Sequence, residues 1–104
     1  MSRTIRFHKF GPAQVLTCEE HAVASPAPGE VQVRVEAIGI SWYDVLWRQN
    51  LAPSQARLPA GLGQEMAGVV TAVGEGVEGF AVGDNVASFP AQSPNEYPVY
   101  GEAI

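Results

Sequence analysis

The chain has 104 residues, enough for one domain with a modest hydrophobic core and too few for two domains. Hydrophobic residues make up 46% of the sequence, which excludes a disordered tail. A net charge of −5 excludes nucleic acid and an anionic membrane surface as partners, and no apolar run approaches membrane-spanning length. The single cysteine, Cys18, excludes an internal disulfide, and residues 1–4 lack a secretory signal, so we expect a cytoplasmic protein.

Glycine and proline recur roughly every eight to twelve residues, a spacing typical of short strands joined by turns. Residues 4–10 are predicted as the first strand, because Ile5 and Phe7 alternate with polar neighbours. Residues 15–19 follow the turn at Gly11, and we expect them to return along the first strand as a hairpin.

The clearest strand covers residues 31–40, after a proline-rich turn that includes Gly29. Valine alternates there with polar residues at a period of two, as a strand with one buried face requires. Residues 37–40 are apolar on both faces, so we expect this end of the strand to be buried.

Residues 41–49 are predicted as one short helix, with Ser41 as its N-cap and Asp44 in its first turn. Three aromatic residues lie close together in this segment. Trp47 is expected in the core, whereas Trp42 and Tyr43 fit either the core or the wall of a pocket for a flat ligand.

The rest of the chain is predicted as the strands and connections of a small β domain. The elements are a loop at 51–60, a strand at 66–73, a turn at 74–79, a strand at 85–89, a loop at 90–98 and a last strand at 97–104. The sequence ends inside that last strand, so we expect unpaired backbone groups there, with self-association or marginal stability as the consequence.

Four short runs carry a resemblance to a known family. They are Pro28-Gly29-Glu30-Val31, Gly39-Ile40-Ser41-Trp42-Tyr43-Asp44, Gly63-Gln64-Glu65-Met66-Ala67-Gly68 and Val82-Gly83-Asp84-Asn85-Val86. Because these four runs follow one another in the family's order, the chain resembles the N-terminal catalytic domain of the medium-chain dehydrogenase/reductase superfamily. The resemblance implies that residues 1–104 fold as a GroES-like antiparallel β-barrel with one short helix. It also implies a nucleotide-binding Rossmann domain, which is absent from residues 1–104.

Two departures from the family pattern concern zinc. Zinc-dependent members have a cysteine ligand where this chain has Ser41, and a histidine ligand where it has Gln64. Glu65 matches the family, but a catalytic zinc needs three protein ligands, so we expect no zinc. In this respect the chain is similar to the zinc-independent quinone oxidoreductase branch, whose members reduce conjugated carbonyls by hydride transfer from NADPH.

The resemblance implies a set of site residues. The catalytic candidates are Ser41, Tyr43 and Glu65, and the cofactor-binding candidates are Ser41, Trp42, Arg48 and Gln64. Structural alternatives stay open: Ser41 also suits a helix cap, and Glu65 also suits an acceptor of backbone hydrogen bonds. The branch usually has an asparagine at the position of Ser41 and a tyrosine shortly after Arg48, and this chain has neither.

Two functions are consistent with these residues. The first is the N-terminal catalytic domain, or a fragment, of a zinc-independent NADPH-dependent oxidoreductase acting on quinones, enones or other conjugated carbonyls. NADP(H) would then be held almost wholly by the absent Rossmann domain, and residues 1–104 alone are expected to be inactive. The alternative is a stand-alone GroES-like binding module without catalytic activity that pairs with itself or with a separate nucleotide-binding subunit.

Overall fold

The described residues are mostly β with one short α-helix, as the sequence predicts, and a single 3-10 turn at Ala13–Val15 precedes the second strand. A computed structural model describes residues 2–88 and 93–104. The strands are β1 (Ser2–Phe7), β2 (Leu16–His21), β3 (Val31–Gly39), β4 (Glu65–Val73) and β5 (Asn85–Ala87), and the helix is α1 (Trp42–Arg48). None of the helices in the described ranges has the length and hydrophobicity of a membrane-spanning segment.

The first sheet is the predicted hairpin of β1 and β2. The two strands run antiparallel, from Ser2 opposite His21 to Phe7 opposite Leu16. β1 ends three residues earlier than predicted, because beyond Phe7 the chain leaves β2. Phe7 is fully buried, and its backbone exchanges two hydrogen bonds of 2.9 Å with Ala60 on the side away from β2.

The second sheet has the order β3-β4-β5, with antiparallel neighbours. β3 and β4 pair from Val31 opposite Val73 to Gly39 opposite Glu65, with irregularities at two places along β3. Gly68 in β4 allows the close approach of the strands, since a Cβ atom there would lie 2.2 Å from the carbonyl oxygen of Arg34. The predicted strand at 85–89 is confirmed over Asn85–Ala87, and its last residue lies outside the described ranges.

The C-terminal segment, defined as residues 100–104, joins the two sheets. Gly101 bridges to Thr4 of β1, and Ala103 bridges to Arg34 of β3. The prediction of one regular strand at 97–104 is therefore wrong: the chain bends here, because it bonds first to β1 and then to β3. The expected unpaired backbone groups are also absent at Ile104, whose N–H and C=O both bond to Val33, at 2.9 and 2.8 Å.

These backbone bonds connect the strands in the order β2, β1, C-terminal segment, β3, β4, β5. In residues 2–88 and 93–104, no backbone pairing joins β2 to β5. The sheets of the described structure are thus not closed into a barrel, although a mostly-β fold of the predicted kind is present.

A hydrophobic cluster of buried residues lies between α1, β1 and the loop that leads to β4. Trp47 is at its centre with 1% of its surface exposed, and its indole Nε1–H donates to the carbonyl oxygen of Gly61 at 3.0 Å. Its buried neighbours are Phe7, Ala56, Ala60 and Leu62. The prediction of Trp47 as a core residue is confirmed.

The end of β3 is exposed, contrary to the prediction that its apolar run is buried. Ile38 is 39% exposed, and Ile40, just after the strand, is 78% exposed. Gly39 still pairs with Glu65 of β4, so backbone pairing continues where side-chain packing has stopped. The apolar end of β3 therefore projects past the core as surface.

Candidate functional site

The candidate site begins at the start of α1. Ser41 is the N-cap, with the extended backbone that this position requires. Its backbone N–H donates to Oδ2 of Asp44 at 3.1 Å, and the N–H of Asp44 donates to the backbone oxygen of Ser41, also at 3.1 Å. The carboxylate of Asp44 thus completes its half of a capping box. The predicted cap is confirmed, and the catalytic role of Ser41 stays a prediction.

Asp44 is a buried carboxylate that also binds the C-terminal segment. It is only 3% exposed, and its Oδ2 accepts a hydrogen bond of 2.6 Å from the hydroxyl group of Tyr100. Burial raises the pKa of Tyr100 well above its ordinary value, and the hydrogen bond to Asp44 and its charge add to the effect. Tyr100 therefore stays protonated and donates.

Glu65 lies at the first position of β4, beside Gly39. A Cβ atom on Gly39 would come within 2.4 Å of Oε2 of Glu65, so the carboxylate lies directly over the Gly39 backbone. Gly39 precedes Ser41 by two residues in the chain. The structure thus brings the predicted residues Ser41 and Glu65 to the same end of the second sheet.

An open cavity of about 600 Å³ lies next to this end of the sheet. Gly39, Glu65 and Ser88 contribute to its lining. The hydroxyl of Ser88 donates to the backbone oxygen of Gln64 at 2.6 Å and accepts from the N–H of Met66 at 2.9 Å. Gln64, which is half-buried, is therefore held by its backbone next to the cavity.

The two aromatic candidates on α1 have different surroundings. Trp42 is 75% exposed, so it is not a core residue. Tyr43 is half-buried and stacks on Trp47, with ring centroids 6.3 Å apart, and its hydroxyl lies 3.4 Å from that of Ser54. Trp42 is thus the aromatic surface beside Ser41, whereas Tyr43 turns towards the loop at 51–60.

Arg48 lies at the opposite end of α1 from Ser41. Its Nε donates to the carbonyl oxygen of Gly11 at 3.0 Å, and its own carbonyl accepts from the Gly11 N–H at 3.1 Å. A helix of seven residues is about 10 Å long, so the structure does not bring Arg48 to the other candidates. Its observed contacts anchor the end of α1 to the turn after β1.

The donor atoms at the candidate site do not suit a zinc ion. Ser41, Gln64 and Glu65 offer a hydroxyl, an amide and one carboxylate, without a thiolate or imidazole. In the part of the chain that the structure describes, no three His, Cys, Asp or Glu residues are grouped so as to hold a metal ion.

A larger cavity, of about 720 Å³, lies between the two sheets. It contains none of the predicted site residues and shares only Met66, Ala87 and Ser88 with the smaller cavity. The larger cavity is therefore separate from the predicted site residues.

Tyr100 is the residue that the sequence reasoning missed. It lies 56 residues after Asp44 in the chain, and no local motif links the two. The one available signal was Asp44 itself, because an acidic residue in a buried helix start needs partners, but the sequence does not say which residue supplies them.

Comparisons with known proteins agree on one family. Residues 27–100 match the alcohol dehydrogenase GroES-like domain family. The quinone oxidoreductase of Salmonella typhimurium is 50% identical over 86 residues, which are 83% of this chain and 26% of that protein. Quinone oxidoreductase 1 of Escherichia coli is 45% identical over the same shares. The chain spans about a quarter of the length of these curated relatives.

Solved structures show the same similarity. The quinone oxidoreductase of Pseudomonas syringae superposes with a TM-score of 0.88 at 39% identity, covering 100% of this chain and 30% of that one. The quinone oxidoreductase of Escherichia coli in complex with NADPH superposes with a TM-score of 0.83 at 40% identity, with the same coverage.

Proposed function

Because the chain belongs to the alcohol dehydrogenase GroES-like domain family of the medium-chain dehydrogenase/reductase superfamily, we propose that it is the catalytic domain of a zinc-independent oxidoreductase. The substrates proposed are quinones or other conjugated carbonyls, and the reductant is NADPH. Residues 1–104 form the substrate-side domain in this proposal, and a Rossmann domain outside them binds most of the cofactor. Strands from outside the described residues would complete the barrel between β2 and β5.

The observation that carries the proposal is the Glu65 carboxylate, which lies over Gly39, two residues before Ser41, and lines an open cavity. Trp42, the residue after Ser41, is exposed. A flat nicotinamide or quinone ring fits against an exposed indole, since stacked aromatic faces attract. When bound, NADPH supplies the hydride. The residues of this chain bind and orient the carbonyl compound and the nicotinamide end of the cofactor.

In this proposal, hydrogen-bond donors polarise the substrate carbonyl, because the side chains at this site are poor ligands for zinc. Ser41 is the proposed donor: the capping bonds around Asp44 fix its backbone, which limits the positions its hydroxyl can take. Gln64 and Glu65 form the floor beside it. Glu65 is exposed, so it can accept hydrogen bonds from a ribose or a substrate hydroxyl.

The remaining candidates take weaker roles in the proposal. Tyr43 stacks on Trp47 and its hydroxyl lies 3.4 Å from that of Ser54, so we assign it to the pocket wall first and to proton donation second. We assign Arg48 to holding the end of α1 through Gly11, with cofactor contact only if that bond breaks.

The test is NADPH oxidation by the native full-length polypeptide that contains this sequence, with 1,4-benzoquinone as acceptor. We expect Ser41→Ala and Glu65→Gln to lower kcat about tenfold or more, the effect of one lost transition-state hydrogen bond.

Two variants should keep their activity. Ser41→Asn keeps a helix cap and a hydrogen-bond donor and should retain activity. Glu75→Gln removes an exposed charge from the turn at 74–79 and serves as the control. Wild-type protein that oxidises no NADPH with any quinone would refute the proposal.

The second candidate function is a binding module without chemistry. Exposed Ile40, Trp42 and Leu51 favour it, at 78%, 75% and 67% exposure, because apolar surface of this kind suits a protein interface. Co-purification with a nucleotide-binding protein, or a stable dimer in sedimentation analysis, together with absent quinone reduction, would favour this function over the enzyme.

A further inference from the structure

The ring of Tyr100 packs on the backbone that leads into Gln64 and Glu65. The N–H groups of Val99 and Tyr100 donate to the carbonyl oxygen of Leu62, at 3.0 and 3.1 Å. Gly63 has a φ of +96°, and a Cβ atom on it would lie 2.4 Å from Cδ1 of Tyr100. The ring of Tyr100 thus packs against Gly63, the residue just before Gln64.

The hydroxyl end of the same side chain reaches the other half of the site. It donates to Oδ2 of Asp44 at 2.6 Å, and this oxygen also accepts the N–H of Ser41. The second carboxylate oxygen, Oδ1, is buried and has no hydrogen-bond partner among the described residues. The orientation of the Asp44 carboxylate therefore depends on two bonds to one oxygen.

We propose that Tyr100 is a positioning residue that fixes the Ser41 segment relative to the Gln64–Glu65 segment, a role that rests on the proposed function. One side chain contacts Asp44, which binds the N–H of Ser41, and Gly63, which directly precedes Gln64. These two contacts come from different parts of the sequence. Transition-state contacts require placement within a fraction of an ångström, so the loss of this link should lower turnover more than binding.

The experiment compares Tyr100→Phe with Tyr97→Phe in the native full-length polypeptide. Tyr97, three residues before Tyr100, is a matched control, because its hydroxyl also donates to a carboxylate. Its acceptor is Oε2 of Glu30, at 2.5 Å, which is not one of the site residues. Both variants keep the ring and lose one hydroxyl-to-carboxylate bond. The readouts are kcat and KM for quinone reduction at a temperature where each variant is folded, and the amide NMR shifts and hydrogen-exchange rates of Ser41 and Glu65.

For Tyr100→Phe we expect kcat to fall about tenfold with KM within about twofold, as one lost hydrogen bond predicts. The Ser41 amide should exchange about tenfold faster, and the Glu65 amide should shift. Tyr97→Phe should match wild type in all four readouts. A Tyr100→Phe variant that only melts at a lower temperature, with unchanged kcat and unchanged amides, would show a structural role and overturn the proposal.

Two further cases are covered by the same amide readouts. If Tyr100→Phe does not fold, Asp44→Asn retains the side-chain shape and is judged by the same two amides: a change at both supports the link, and a change at Ser41 alone overturns it. If wild-type protein reduces no quinone, the proposed function fails, while the amide readouts still decide whether Tyr100 links the two segments.

Discussion

The carboxylate of Glu65 lies over the backbone of Gly39, so closely that a Cβ atom on Gly39 would come within 2.4 Å of Oε2. The contact pairs the first residue of β4 with the last residue of β3. It also explains why a glycine is needed two residues before the helix cap: any larger side chain would push Glu65 away from the site.

Gly39→Ala should therefore change the site without unfolding the protein. The nearest atom, Oε2, is the mobile end of an exposed side chain, but Cβ of Glu65 would also lie only 3.0 Å away, so we expect a loss of about 1 kcal/mol in the free energy of unfolding. Displacement of Glu65 should lower kcat for quinone reduction about tenfold.

Gly68→Ala is the contrasting variant. Its Cβ atom would lie 2.2 Å from the backbone oxygen of Arg34, which cannot move without disturbing the β3–β4 pairing, and we expect a loss of about 3 kcal/mol in the free energy of unfolding. Urea unfolding and steady-state kinetics on both variants check the prediction, and equal stability losses would contradict it.

Local patterns predicted most elements because their causes are local. The period-two valines of β3 and the cap-plus-acid pattern at Ser41 and Asp44 depend on neighbours a few residues away, and both predictions are confirmed. The apolar end of β3 was mispredicted because its burial depends on what packs against it. A run that is apolar on both faces reads the same in a core and on an exposed binding surface.

The link between Asp44 and Tyr100 could not be predicted for a related reason. The bond joins residues 56 positions apart, and it forms because the C-terminal segment crosses from β1 to β3 over the loop at Leu62. Sequence patterns indicated where each strand or helix lies but not how the chain bends between sheets. The site residues on single elements were therefore easier to nominate than the residue that connects them.

Substitution by phenylalanine should lower the stability of the protein at Trp47 but not at Trp42, although both residues lie on α1. Trp47→Phe leaves the Gly61 carbonyl without its indole donor and leaves a gap in the core, so we expect a loss of about 2–3 kcal/mol in unfolding free energy. Trp42→Phe changes an exposed side chain and should alter stability by less than about 0.5 kcal/mol. Urea denaturation measures both. A loss at Trp42 as large as at Trp47 would mean that Trp42 packs in the interior.

Trp42 should instead affect ligand binding. If its exposed indole contacts the flat ring of quinone or nicotinamide, Trp42→Ala should raise KM for one of them up to about tenfold. Phe80→Ala is a control with another exposed aromatic residue, which lines the larger cavity and not the site. Unchanged KM values for quinone and for NADPH in Trp42→Ala would remove Trp42 from the site.

The surface of the first sheet should make stability depend on pH in acid. The Thr17 hydroxyl, which donates to Glu19 at 2.5 Å, is the main cause that lowers the pKa of Glu19 to about 2, with help from the hydrogen bond to His8. A carboxyl group with a lowered pKa in the folded state stabilises the protein above its unfolded pKa of 4.5. That contribution should be lost as the pH falls from about 4.5 to about 2.

Acid titrations of unfolding free energy test this dependence. Glu19→Gln should lose less stability than wild type between these pH values. The part of the difference that comes from His8 should shrink in high salt, because the His8 side chain is exposed. Glu20→Gln removes the neighbouring charge and should follow the wild-type curve. Parallel curves for wild type and Glu19→Gln would contradict the role of the Thr17–Glu19 bond.

Gly63 offers the sharpest test of how the C-terminal segment packs on the site. Gly63 and Gly76 both have positive φ, +96° and +79°, so alanine at either position meets backbone strain of about 1–2 kcal/mol. At Gly76 the new methyl group meets nothing within 4 Å, whereas at Gly63 it would lie 2.4 Å from Cδ1 of Tyr100 and 2.7 Å from Cγ2 of buried Val99. Gly63→Ala should therefore lose about 1–3 kcal/mol more than Gly76→Ala, because overpacking adds to the strain. Urea unfolding of the two variants isolates this difference, and pairing Gly63→Ala with Tyr100→Ala should recover part of it. Equal losses would mean that Tyr100 does not rest on Gly63, since strain alone would then account for both variants.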